Sequence, residues 1–250
     1  MFQNVVAVSN EMHGAKKLKK VESFDFASNF HIASVMVHEF GRAATIFPVV
    51  FLEDPRTDGF RPVVLLGLEA DKNLFVKQDG SWAASYVPAI LRRYPFTLAK
   101  TEEDGNRYAI CVDSDSELLS DSDGQPLFND DGTPSSTMEN VKNFLGELQQ
   151  MEIISEAFTK KLAELNLFTP LNMSVRDNAN VKNITGCYVI NEERLKSLSD
   201  EKFLELRKLN YLAPIFAHLT SLAQVERLVQ LAQGKDSITA EEAVQSDQVH

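Results

Sequence analysis

The residues predict an α+β protein, with a mixed or antiparallel sheet from the N-terminal two thirds, a long helix near 137–166 and a helical C-terminal third. Three observations carry this expectation. Short apolar runs bounded by turn residues crowd the first half of the chain. One apolar stripe at helical spacing continues from Met138 to Leu165. Helical and strand-like runs do not alternate regularly, which argues against a doubly wound sheet.

Taken in order, residues 1–29 are polar and basic with a few aromatics, and read as an N-terminal arm with room for one short strand. Between 31 and 47, Ile32, Val35, Met36, Phe40, Ala43, Ala44 and Phe47 share a helix face. A helix is expected from His38 to Ile46, with 31–37 open between helix and strand. Residues 48–52, 62–68 and 73–77 are short apolar runs that read as strands. The loop at 54–59 and the turn at 78–80 separate them by their Pro, Asp and Gly content. Residues 86–93 read as a short helix that Pro95 stops. Two strands, 96–100 and 107–113, flank a turn at 103–106.

Residues 113–136 are acidic and rich in Gly, Ser and Pro, and form the longest expected loop. The long helix follows, with Thr137 as its expected N-cap and Glu139 in its first turn. Strands are expected at 167–175 and 184–190. Ser199 suits the cap of a helix to Leu209, Pro214 the first turn of another, and Ser221 with Gln224 forms a capping-box pattern. The organisation read from this is an arm at 1–29, one domain at 30–232 and a polar tail at 233–250.

Composition excludes several classes. The formal net charge of −11 repels phosphate backbones, so no nucleic acid is expected as a partner. No stretch reaches the roughly 18–20 apolar residues of a membrane helix, so no membrane insertion is expected. No signal-peptide pattern opens the chain, since Val5–Val8 is too short and the lysines at 16, 17, 19 and 20 follow it. A cytoplasmic location is the expectation, with the basic run as a solvated turn. Cys111 and Cys187 lie in apolar strand-like runs and read as buried free thiols.

Catalytic and metal signatures are missing. The acidic loop lacks the Gly and Glu spacing of an EF-hand. His31 and His38 have no third ligand in pattern, and His38-Glu39 does not open an HExxH motif. His218, inside an apolar helix, reads as a satisfied semi-buried histidine. There is no nucleophile elbow, P-loop or dinucleotide fingerprint. No metal and no cofactor is expected, and no catalytic residue is assigned.

The most unusual segment runs from Asp79 to Phe96. It holds the only Trp, two of the five Tyr and a double Arg. Trp82, Tyr86, Arg92, Arg93 and Tyr94 are the candidate binding residues, with aromatic walls and guanidinium forks suited to a carboxylate or phosphate on a small ligand or a protein partner. Successive helical residues point about 100° apart. At least one Arg is therefore expected to be partly buried beside Tyr86 or Tyr94 with its guanidinium on an acceptor, while the other caps the helix end or lies in solvent.

The same segment carries a resemblance. NLFV at 73–76, DGSW at 79–82, YVPAILRRYPF at 86–96, GQPLF at 124–128 and DGTPS at 131–135 are similar to stretches of the bacterial SapC family. GCYVINEERLKSL at 186–198 and APIFAHLTSLAQVERL at 213–228 continue the likeness, which spans residues 30–232. The permeases that share the name have membrane helices that this chain lacks. The resemblance implies no catalytic residues. It implies an association with a bacterial surface-layer locus, and so an envelope or surface-layer structural role, reached without a signal peptide, as one alternative. The leading expectation is a non-catalytic accessory or binding protein. An enzyme acting on a small anionic or amino-acid-like substrate is the third.

Overall fold

A computed structural model of the chain describes residues 2–55, 59–101, 107–177 and 180–234, with the backbone alone for 175–177 and 180–183. The expected turn at 103–106, the centre of the 54–59 loop and the tail beyond 234 lie outside the described residues.

The order begins β1 (Val5–Ala7), α1 (Asn10–His13), β2 (Lys17–Leu18), β3 (Ile32–Ser34) and α2 (Phe40–Ala43). It continues with β4 (Val49–Asp54), β5 (Gly59–Leu65), α3 (Ala89–Arg92), β6 (Phe96–Lys100), β7 (Tyr108–Asp113), β8 (Leu119–Ser120) and β9 (Gln125–Pro126). Then come the long helix α4 (Ser136–Glu164), β10 (Phe168–Asp177), β11 (Asn180–Ile190), α5 (Glu192–Lys196), α6 (Asp200–Lys208), α7 (Leu212–Ser221) and α8 (Val225–Ala232). The protein is α+β, and its strand pairs are antiparallel.

Three sheets form, ordered β1-β7-β6, β10-β11-β4-β5-β3 and β8-β2-β9. The five-stranded sheet draws β10 and β11 from beyond the long helix, so strands far apart in sequence share one core. That core holds Phe40, Phe47, Phe51, Phe75, Phe158 and Leu162, all fully buried. A second cluster, with Phe96, Val112, Leu127 and Met138, lies under the β1-β7-β6 sheet. Helix α4 joins them: Met138 and Leu145 serve the second cluster, Phe158 and Leu162 the first. Between these, Leu148 packs with Met36 and Ala89. At about 1.5 Å per residue, a helix of 29 residues is long enough to span both.

Several expectations are corrected. The cap of α4 is Ser135, not Thr137; its Oγ accepts the Met138 N–H and donates to the Pro126 carbonyl at 2.6 Å. Ser135 has the extended backbone that a cap needs, which places the start two residues early. The helix expected at 38–46 is a 3₁₀ turn, Val37–Glu39, followed by the single turn of α2. The Glu39 side chain reaches back to the Met36 N–H at 2.8 Å and so starts the turn there. Residues 73–77 are no strand: only Val76 bridges Trp82. The Asn73 amide instead donates to the Ala27 carbonyl at 3.0 Å and accepts the Phe75 N–H at 2.9 Å. The helix expected at 86–93 is confined to α3, because Pro88 sits extended at its start.

The basic run is not a solvated turn. Lys17 and Leu18 form the central strand of β8-β2-β9, whose outer strands come from the expected acidic loop. Two side-chain contacts accompany the pairing: Lys16 pairs with Asp121 at 2.8 Å, and Lys17 donates to the Ser122 carbonyl at 2.9 Å. The capping box at Ser221 and Gln224 is also absent. Ser221 is fully buried, and a 3₁₀ turn at Leu222–Gln224 carries α7 into α8.

Candidate functional site

The five candidate residues do not line one pocket. Trp82 belongs to the aromatic packing around the main core, stacked on Phe75 at 5.8 Å, with its indole N–H donating to the Tyr86 carbonyl at 2.7 Å. Tyr94 faces a groove of about 680 Å³ together with Phe26, on which it stacks at 4.4 Å. Arg93 is half-buried over the Phe2 ring at 5.5 Å, and its Nε is buried without a hydrogen-bond partner. Tyr86 and Arg92 share a cavity, a basin of about 310 Å³. The burial and the acceptor expected of one arginine are divided between two. Arg93 is the more buried, whereas the exposed Arg92 has the acceptor, the Val87 carbonyl at 3.1 Å.

The basin forms where α4 crosses the junction of the two cores. Its floor is Glu39, buried at 7% exposure. One carboxylate oxygen accepts the Tyr86 hydroxyl and the Ala89 N–H, the latter at 2.8 Å; the other accepts the Met36 N–H. A buried carboxylate needs such donors, and here three polar partners satisfy it. Glu39 thereby locks Tyr86, and burial together with the adjacent carboxylate raises the phenol's pKa to about 12. Tyr86 is therefore a neutral hydroxyl with its ring held in place.

Two guanidiniums flank that ring, Arg42 at 5.0 Å and Arg92 at 5.7 Å, and Arg92 also lies 5.3 Å from the Phe144 ring. Each is tethered by one hydrogen bond to a backbone carbonyl: Arg42 to Ser85 at 3.2 Å and Arg92 to Val87. Among the described residues neither is ion-paired with a carboxylate. That is notable in a chain with 36 acidic and 25 basic residues, where a nearby carboxylate is easily supplied. Stacking and a single tether orient each guanidinium while leaving further N–H groups for a planar acceptor.

Helix α4 forms the opposite wall with Phe144, Glu147, Leu148 and Met151. These positions are three and four apart and share a helix face. Sequence reasoning missed Glu39, Arg42 and Glu147. The one available signal was Glu147, a carboxylate set at helical spacing within the apolar stripe. The larger groove beside Tyr94 has mixed exposed Lys and acidic side chains, and its breadth does not make up for that dispersed chemistry.

Among the described residues no group of three His, Cys, Asp or Glu is arranged to hold a metal ion. No helix among them is long and apolar enough to cross a membrane.

Fold and site together define an α+β protein with a tyrosine–arginine basin over a buried carboxylate. The SapC family model matches residues 8–228, and the chain belongs to the SapC family. Comparisons with curated proteins and with solved structures gave no significant match.

Proposed function

We propose that this SapC-family chain is a non-catalytic accessory or binding protein that takes an anionic group, a carboxylate or phosphate, between Arg42 and Arg92 against the Tyr86 ring. The observation that supports this most is the pair of arginines that flank one immobilised ring without a carboxylate partner. Planar guanidinium forks match carboxylate and phosphate oxygens. Structural donors take three of the roughly four lone-pair sites of the Glu39 carboxylate, which argues against its acting as a general base.

The single Trp gives the assay. Trp82 is bonded to the Tyr86 carbonyl, so its emission reports on the basin. Titration with carboxylate and phosphate salts at low ionic strength is expected to change that emission saturably, with Arg42→Ala and Arg92→Ala each weakening the response at least tenfold. Unchanged titrations in both variants would refute the assignment. The compartment that goes with this reading is the cytoplasm; recovery of the protein in the cell-envelope fraction would instead favour a surface-layer role.

A further inference from the structure

We infer that the ligand of the basin is a zwitterion of the α-amino-acid type with an apolar side chain; this rests on the anion-binding reading of Arg42 and Arg92. The added observation is Glu147. It projects from α4 into the same basin as the two guanidiniums, yet it forms no ion pair among the described residues. Opposite charges that line one cavity of about 310 Å³ and do not collapse onto each other leave room for a ligand that carries both. An α-amino acid has its carboxylate and ammonium on a single carbon. The carboxylate meets the guanidinium forks and the ammonium meets Glu147.

The lining also holds His38, and its apolar part sets the side chain. Phe144, Leu148 and Met151 lie on the Glu147 side of the basin and are apolar, with Leu148 buried and Phe144 and Met151 packed against the same small cluster. Small-molecule sites combine such apolar walls with a few placed polar groups. A volume of this size suits a free amino acid and is small for a longer peptide. An aliphatic or thioether side chain complements a wall of Leu, Met and Phe.

The test compares L-leucine, N-acetyl-L-leucine and the dipeptide alanyl-leucine by calorimetry and Trp82 emission. The full-length protein and the variants Glu147→Gln and Arg92→Ala are used. Glu147 is exposed, so the Gln variant is expected to melt like the parent. L-leucine is expected to bind at least tenfold more tightly than N-acetyl-L-leucine. Glu147→Gln should remove that discrimination by weakening L-leucine alone, and Arg92→Ala should weaken both. Equal binding of L-leucine and its N-acetyl form, or discrimination that survives Glu147→Gln, would overturn the zwitterion and leave the anion-binding reading standing. Tighter binding of the dipeptide than of L-leucine would overturn it in favour of a peptide end. If none of the three binds at millimolar concentration while phosphate does, the zwitterion alone fails. If no anion binds, the reading beneath it fails as well.

Discussion

The His218 ring stands between two strands, with Nδ1 donating to the Val49 carbonyl of β4 at 2.8 Å and Nε2 accepting the Ile190 N–H of β11 at 3.1 Å. Strands β4 and β11 pair directly only at Phe51 and Tyr188. The imidazole therefore supplies the link that the ladder lacks there. Beside it, Ser221 donates to the His218 carbonyl at 2.6 Å and accepts the Val49 N–H at 2.9 Å. The arrangement requires the neutral ring, since a proton on Nε2 would meet the Ile190 N–H head-on.

That requirement predicts an acid-sensitive stability. Burial pulls the His218 pKa from 6.5 down to about 4, against the opposing pull of the Val49 carbonyl. Between those values the unfolded chain binds the proton and the folded chain does not. Stability from this group is thus complete above about pH 6.5 and falls as the pH drops towards 4, by about 3 kcal/mol in all. Urea denaturation from pH 7.5 to 4.5 measures it. His218→Gln offers one donor and one acceptor without titrating, and should flatten this part of the profile.

A second prediction concerns the start of the chain. Asp113, 1% exposed, ends β7 and accepts the N–H groups of Gln3 and Asn4, each at 2.9 Å. These bonds continue the register that begins at Val5 and Asp113. Asp113→Ala should lower stability by about 1.5–3 kcal/mol, the usual range for hydrogen bonds to a charged group. Amide exchange at residues 3–7 should accelerate more than in the five-stranded sheet. Equal acceleration in both would mean that β1 is not held locally.

Gly146 sits inside α4, and a Cβ built there meets nothing within 4 Å. Gly costs about 0.5–1 kcal/mol relative to Ala in a helix interior. Gly146→Ala should raise stability by that amount, read as a shift in the denaturation midpoint with an unchanged slope. A loss of stability would mean that the helix needs a backbone freedom here that its geometry does not display.

The two thiols offer a chemical check. Cys111 and Cys187 are free and buried at 5% and 3% exposure, and burial raises both pKa values. The thiolate is the reactive form. Neither should react with a disulfide reagent in the native protein, and two equivalents should react after denaturation. Fast native labelling of one would show local opening of its strand.

Residues alone determined what depends on near neighbours in the chain. The stripe from Met138 to Leu162 is a 3.6-residue period, and Phe96–Lys100 is an apolar run ended by Pro95 before and charge after. Ser199 was legible as a cap because an Ncap side chain bonds three residues ahead, here to the Lys202 N–H. The Asp79–Phe96 segment stood out by composition, and two of its five candidates, Tyr86 and Arg92, meet in the basin. Tertiary structure decided the rest. Glu39, Arg42 and Glu147 come from a 3₁₀ turn, a single helical turn and the middle of α4, and no local pattern relates them. Asn73 replaced a strand by bonding Ala27, 46 residues away, and Lys17 became a strand only beside segments more than a hundred residues on. For Glu39 and Asn73 the deciding group is a buried polar side chain that must be satisfied wherever the fold brings a partner within reach, and for Lys17 it is backbone pairing with strands that only the fold brings alongside. Periodicity records which face is buried, but it does not record what that face will find there.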